Sequence, residues 1–180
     1  MSAVAVDSIP RPYSRLSIGL HWLMLLLLVA VYAVILLRHE FPRGSDVREA
    51  LKAWHFSLGL AVFILVGLRA VARLLHRAPP RAHDWNERVA GAMHLALYGF
   101  MIAMPLLGWV ILSAEGEPVR LFGLALPALT GSNEALAERA ETIHEMLGTI
   151  GYWLVGLHTA AALFHHYRLR DGVLARMGVR

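Results

Sequence analysis

The chain has 180 residues, 57% of them hydrophobic, with a formal charge of +4 and a positive mean hydropathy. A water-soluble domain of this size has no core large enough to hide that much apolar side chain, and the long apolar runs point instead to a lipid-facing protein. There are no cysteines, which excludes disulfides, thiolate metal sites, iron–sulfur clusters and covalent haem attachment through Cys-x-x-Cys-His. Any redox chemistry then needs a bound group, and the ten histidines become the residues to explain.

Residues 1–12 do not read as a cleavable signal, because no short apolar core precedes a small-residue cleavage site. The first apolar segment, about 14–37, carries no charge after Arg15. Pro42 and Gly44 break the chain after it. Asp46 with Glu49 three residues on reads as a capping box for the second segment. That segment crosses at about 50–74 and is stopped by Pro79 and Pro80. The third spans about 88–112 and holds Pro105 as a kink site. An irregular stretch follows, whose apolar portion, Leu121 to Leu129, is too short to span and is expected at the membrane interface. Asn133 then caps a fourth helix that spans about 138–166 and projects its first turns into water. The predicted fold class is an all-α, integral membrane four-helix bundle forming a single domain.

An even number of spans places both termini on one side. The N-terminus, the second connection and the C-terminus together hold 11 Lys/Arg and 4 Asp/Glu. The other two connections, with the projecting start of the fourth helix, hold 6 and 9. The positive-inside rule therefore puts both termini in the cytoplasm and predicts a multi-pass protein of a bacterial cytoplasmic (inner) membrane, in contact with lipid. No basic, aromatic-interleaved surface suggests nucleic acid.

Histidines within membrane spans are rare and mark function by default. Five of the ten fall inside: His21, His55, His94, His144 and His158. The others, His39, His76, His83, His165 and His166, sit in connections or at helix ends and read as solvated or interfacial side chains. His55 and His144 fall at the periplasmic depth, and His21, His94 and His158 at the cytoplasmic depth. His144 and His158 are 14 residues apart on one helix. That is about 21 Å of rise, and 14 steps of ~100° return almost to the same face. The pattern suits two b haems stacked through the membrane, each held by two neutral imidazoles. His55 pairs with His144; His158 pairs with His21 or His94. Gly59, Gly148 and Gly156 leave room beside the ligands, as tightly packed membrane helices also do. Arg15, Arg69 and Arg73 lie at the depth of the cytoplasmic haem's propionates, and Lys52 at that of the other; snorkelling anchors would look the same. His144-Glu145 begins like a zinc-protease motif, but position 148 is Gly, so no zinc site is expected there.

Three segments carry a family resemblance: Tyr13-Ser-Arg-Leu-Ser-Ile-Gly-Leu-His21-Trp, Trp54-His55-Phe-Ser-Leu-Gly59, and the long run from His144-Glu-Met-Leu-Gly through His158 to Tyr167. They closely resemble the bacterial cytochrome b561 family, over nearly the whole chain. The resemblance implies two b haems, a ubiquinone partner and axial ligands at His21, His55, His144 and His158. It leaves His94 beside the cofactor or at the quinone. It also implies oxidation of superoxide at the periplasmic face, by outer-sphere transfer that needs no acid, base or nucleophile.

The expected function is thus an oxidoreductase of the superoxide:ubiquinone type. The periplasmic side is acidic overall, but Arg38, Arg43, Arg48 and Lys52 cluster near His55 and would steer a small anion. The rival is a cytochrome b anchor subunit that relays electrons from a docked hydrogenase or dehydrogenase to quinone; the short connections favour the self-contained protein. A proton-relay transporter would use the same histidines without visible absorbance.

Overall fold

The computed structural model describes residues 14–75 and 85–178, apart from the side chain of Asn86. The expectations for residues 1–12, for His76 and His83 and for the Pro79 and Pro80 stop lie outside the described residues.

Four long helices make the fold: α1 Arg15–Arg38, α2 Asp46–Leu75, α3 Trp85–Glu115 and α4 Glu134–Phe164. Each exceeds the ~20 residues that cross a ~30 Å hydrocarbon layer, and each contains an apolar stretch suited to that layer. The helices overrun the apolar segments because their polar first turns are held by caps. Ser14 Oγ accepts the Ser17 N–H at 3.2 Å, and Asn133 Oδ1 accepts the Leu136 N–H at 3.0 Å. At α2 the cap is Ser45 rather than Asp46: Ser45 Oγ faces the Arg48 N–H at 3.4 Å. Asp46 is the first helical residue and, with Glu49, places negative charge on the N-terminal dipole. Helix α3 runs unbroken through Pro105.

Helix α1 lies along α2, α3 along α4, and the two hairpins join through α2 and α3. Their core is a mid-membrane layer of Met24, Val62, Leu65, Val66, Phe100 and Met101, with Tyr32 and Leu154 against it. The apolar stretch after α3 forms a small hairpin, β1 Arg120–Leu121 and β2 Leu124–Ala125, pairing Arg120 with Ala125 and Leu121 with Leu124. Its turn takes Phe122 and Gly123 at φ +47° and +90°, the two positive values that match a hairpin's twist. Ser57 on α2 is buried and accepts the Phe122 N–H at 3.1 Å, which fixes the hairpin to the bundle. Leu121 and Leu126 turn inward onto Leu60, Leu112 and Val119, while Leu124 and Leu129 stay exposed.

After α4 a π-helical turn, His165–Leu169, and a short helix α5, Val173–Arg176, fold the chain back onto α1. Trp22 Nε1 donates to the Met177 carbonyl at 3.2 Å. His165 Nδ1 donates to Asp171 Oδ2 at 2.6 Å, and Asp171 Oδ1 accepts the Val173 N–H at 3.1 Å. Burial pushes the Asp171 carboxyl up, but the His165 and Val173 hydrogen bonds outweigh it and hold the group below its usual range.

Candidate functional site

Among the described residues, no Cα of α4 comes within 8 Å of a Cα of α1 or α2. Imidazoles reach across that gap in two places. His55 of α2 and His144 of α4 have ring centroids 6.2 Å apart, at an interplanar angle of 72°. Toward the other end, His21 of α1 and His158 of α4 are 6.3 Å apart at 70°. An imidazole nitrogen sits about 2 Å from a bound metal and the ring centre about 1 Å farther, so two imidazoles on opposite sides of one ion are about 6 Å apart. Both pairs match that spacing, with a gap between helices that a flat group would fill. No three His, Cys, Asp or Glu side chains converge on a single point among the described residues. The imidazoles are arranged in facing pairs rather than as a chelating cluster.

The His55/His144 pair borders a cavity of about 450 Å³. His55 Nδ1 lies 3.2 Å from the Val31 carbonyl. A carbonyl only accepts, so Nδ1 carries the proton and Nε2 is left as a ligand atom. The Met104 carbonyl of α3 faces the His144 ring. Gly59 and Gly148 line the cavity, and a Cβ at Gly59 would meet nothing within 4 Å. Gly108 of α3 is a further close-fitting glycine: a Cβ there would lie 3.7 Å from His144 Cε1 and 3.6 Å from Phe56 Cε1. Nothing in the sequence singles out Gly108, because it stands three residues past a proline with no histidine on its own helix turn.

The four cations expected to steer an anion differ in role. Arg38 lines the cavity, with its Nε buried and without a hydrogen-bond partner among the described residues. Lys52 also lines it but pairs with Glu115 at 3.6 Å. Arg48 instead closes the end of α1, donating from Nη1 to the carbonyls of Arg38 and Phe41 at 3.1 and 2.9 Å. Arg43 is exposed in the connecting turn. Glu141 and Glu145, on the projecting start of α4, border the same cavity. Sequence reasoning placed their charge on this side without bringing them to the mouth.

At the His21/His158 pair the structure adds a third ring. His94 of α3 has its centroid 5.6 Å from that of His158, at 69°. Both partners left open by spacing therefore meet His158, and geometry alone does not choose between them. The Ala90 carbonyl, one turn earlier on α3, engages His94, whereas His21 Nδ1 is buried without a partner among the described residues. Arg69 acts electrostatically on all three imidazoles, and Tyr98 lies beside it. Arg73 acts on His94 as well. Arg15 is exposed in the first turn of α1.

A family model described as prokaryotic cytochrome b561 matches residues 12–178. The chain is 36% identical over 170 residues to a probable superoxide oxidase CybB of Yersinia pestis, covering 93% of this chain and 96% of that protein. It is 33% identical over 168 residues to cytochrome b561 homolog 1 of Escherichia coli strain K12, covering 92% and 96%. A cytochrome b562 of Cereibacter sphaeroides is 27% identical over 176 residues, covering 92% and 94%.

Proposed function

The chain belongs to the prokaryotic cytochrome b561 family, and from that premise we propose that this multi-pass bacterial membrane cytochrome takes electrons from superoxide at one face and delivers them to ubiquinone near the other. Family membership implies haem b. The proposal adds a count of two, one of which His55 and His144 would hold at the donor end and the other His21 and His158 at the acceptor end. The observation that carries it is the two pairs of facing imidazoles, 6.2 and 6.3 Å apart, whose α4 members share one face of that helix. The superoxide donor is supported by the name given to the Yersinia pestis relative. Ubiquinone is supported by the family resemblance. The charge asymmetry supports an inner-membrane location with the donor end in the periplasm.

Haem b supplies a reversible one-electron carrier at each pair. The residues of this chain do the rest. Val31 fixes the tautomer and direction of His55, so its Nε2 stays available. Arg38 places a positive charge on the cavity wall, where it draws a small anion past the carboxylates of Glu141 and Glu145. Superoxide loses one electron and leaves as dioxygen, so no proton moves at this end. At the other end, two electrons and two protons convert ubiquinone to ubiquinol. Arg69, His94 and Tyr98 form a polar group against His158 that offers hydrogen bonds to a quinone head and a place for protons to enter. Arg69 and Arg73 also place positive charge at this end. That charge favours the reduced state there and directs electrons away from the donor end.

The test is the haem-to-protein ratio with the reduced-minus-oxidised spectrum, followed by superoxide-dependent ubiquinone reduction in proteoliposomes. Two b haems and quinone reduction abolished by superoxide dismutase are the expected result. Two haems without a response to superoxide would leave the cytochrome and remove the donor, and a large soluble subunit co-purifying with the chain would then make it an electron-relaying anchor.

A further inference from the structure

Gly151 is seven residues from His144 and seven from His158. Seven steps of ~100° return nearly to the starting face, so Gly151 lies on the histidine face of α4, midway between the two pairs. It is buried. A Cβ built there would collide with Tyr32 Oη of α1 and with the Phe100 ring of α3, whose Cε2 would be 2.7 Å away. Tyr32 Oη also donates to the Gly148 carbonyl at 2.8 Å, and its ring packs at a tilt of 40° against Tyr152, with centroids 4.5 Å apart. Both Tyr32 and Phe100 line the cavity beside His55 and His144.

We propose that Tyr32 and Phe100, seated on Gly151, form the floor of the donor-end haem pocket, and that the missing side chain at position 151 sets how deep that pocket is. The inference rests on the proposed haem sites and assigns these three residues a positioning role. The argument is steric. The two rings meet the mid-membrane core on one side and the cavity on the other. The core behind them is filled by Met24, Leu65 and Val66 and does not yield. A methyl group at position 151 therefore displaces the rings into the cavity, where the macrocycle would lie. The acceptor-end pair is on the far side of Gly151, with His158 about two helical turns further along α4. One pocket should close while the other stays open.

The experiment compares Gly151→Ala with Gly99→Ala in the full-length membrane protein. Gly99 is also mid-helix, but a Cβ there meets nothing within 4 Å. The readout is haem per chain with low-spin electron paramagnetic resonance. Gly151→Ala is expected to fall from two haems to one, and Gly99→Ala to keep two. In the Gly151→Ala background His158→Ala should remove the remaining haem, whereas His144→Ala should change nothing. The surviving haem reports that the chain has folded. If Gly151→Ala instead loses both, the triple variant Gly151→Ala, Tyr32→Phe, Phe100→Leu decides: recovery of haem supports the floor, and no recovery overturns it. Two haems in Gly151→Ala, or equal loss in Gly99→Ala, overturns the floor and leaves the dihaem reading standing. Fewer than two haems in the unsubstituted protein overturns the haem assignment and this inference with it.

Discussion

The two ends of the bundle repeat one device in different surroundings. Each sets an imidazole of α4 against an imidazole of the α1–α2 hairpin, at almost the same spacing. At the His55/His144 end the pair borders a cavity whose rim mixes Arg38 and Lys52 with Glu115, Glu141 and Glu145. At the His21/His158 end a third imidazole and two arginines crowd the pair. Matching imidazole pairs therefore do not make equivalent sites. Local charge separates them, and it separates them in the direction that the proposed electron flow requires.

The comparison breaks most directly at the ligands. His144→Ala and His158→Ala are each expected to remove one haem of two, seen as half the absorbance of the reduced protein. The third imidazole gives the sharper case. If His21 is the ligand, His21→Ala loses the low-spin signal of the acceptor-end haem and His94→Ala keeps it. The reverse outcome would make α3, not α1, the partner of α4.

The next effect is electrostatic. Arg69→Gln removes a positive charge that acts on His21 and His158. The reduced state loses stabilisation, so the reduction potential of the acceptor-end haem should fall by on the order of 50 mV while the other holds still. A redox titration followed in the visible bands measures both. Equal shifts at both haems would mean that charge does not distinguish the two ends.

Much of this arrangement was legible in the sequence. The spans were readable because a 30 Å layer forces long apolar runs, and the depths of the histidines because helix rise is fixed. Their spacing of 14 residues on α4 indicated the shared face. What could not be read was which side chains arrive from other helices. Gly108 meets His144, and Phe100 meets Gly151, only through the packing of α3 on α4. Hydrogen-bond partners were equally hidden. Lys52 and Arg48 looked like members of one cationic cluster, yet one is paired with Glu115 and the other closes a helix end. The Asp46 expectation failed for a similar reason, since Ser45 one residue earlier competes for the same capping position.

Those partners reorder the expected effects at the donor rim. Arg38→Gln should slow superoxide consumption about threefold at low salt and flatten its salt dependence, because among the described residues Arg38 lines the cavity without a carboxylate partner. Lys52→Gln should do less, its charge being already offset by Glu115. Arg48→Gln should leave the salt dependence intact and lower thermal stability instead, since it frees two carbonyls at the end of α1. Stopped-flow consumption at two ionic strengths, with a melting curve for each variant, separates the three. A rate loss in Arg48→Gln as large as in Arg38→Gln would restore the picture of one undivided cluster.

The smallest effect lies outside the membrane, where the turn after α5 is tied to α1 through Trp22 and Met177. Burial alone would raise the Asp171 carboxyl, but the His165 and Val173 donors hold it lower in the folded chain than in the unfolded one. A carboxyl lowered by folding stabilises the fold fully above its unfolded value, and that contribution is lost as pH falls through the folded value. Amides of Val173–Arg176 should therefore stay protected from hydrogen exchange at neutral pH and lose protection on acidification. Asp171→Asn keeps an acceptor for the Val173 N–H but not the charge facing His165. Its protection should be lower at neutral pH and no longer fall on acidification in this way. Because Trp22 meets Met177 one residue from His21, loosening α5 should be detectable at the acceptor-end haem and silent at the donor end. A change at both would show that the fold-back supports the bundle as a whole rather than one of its two sites.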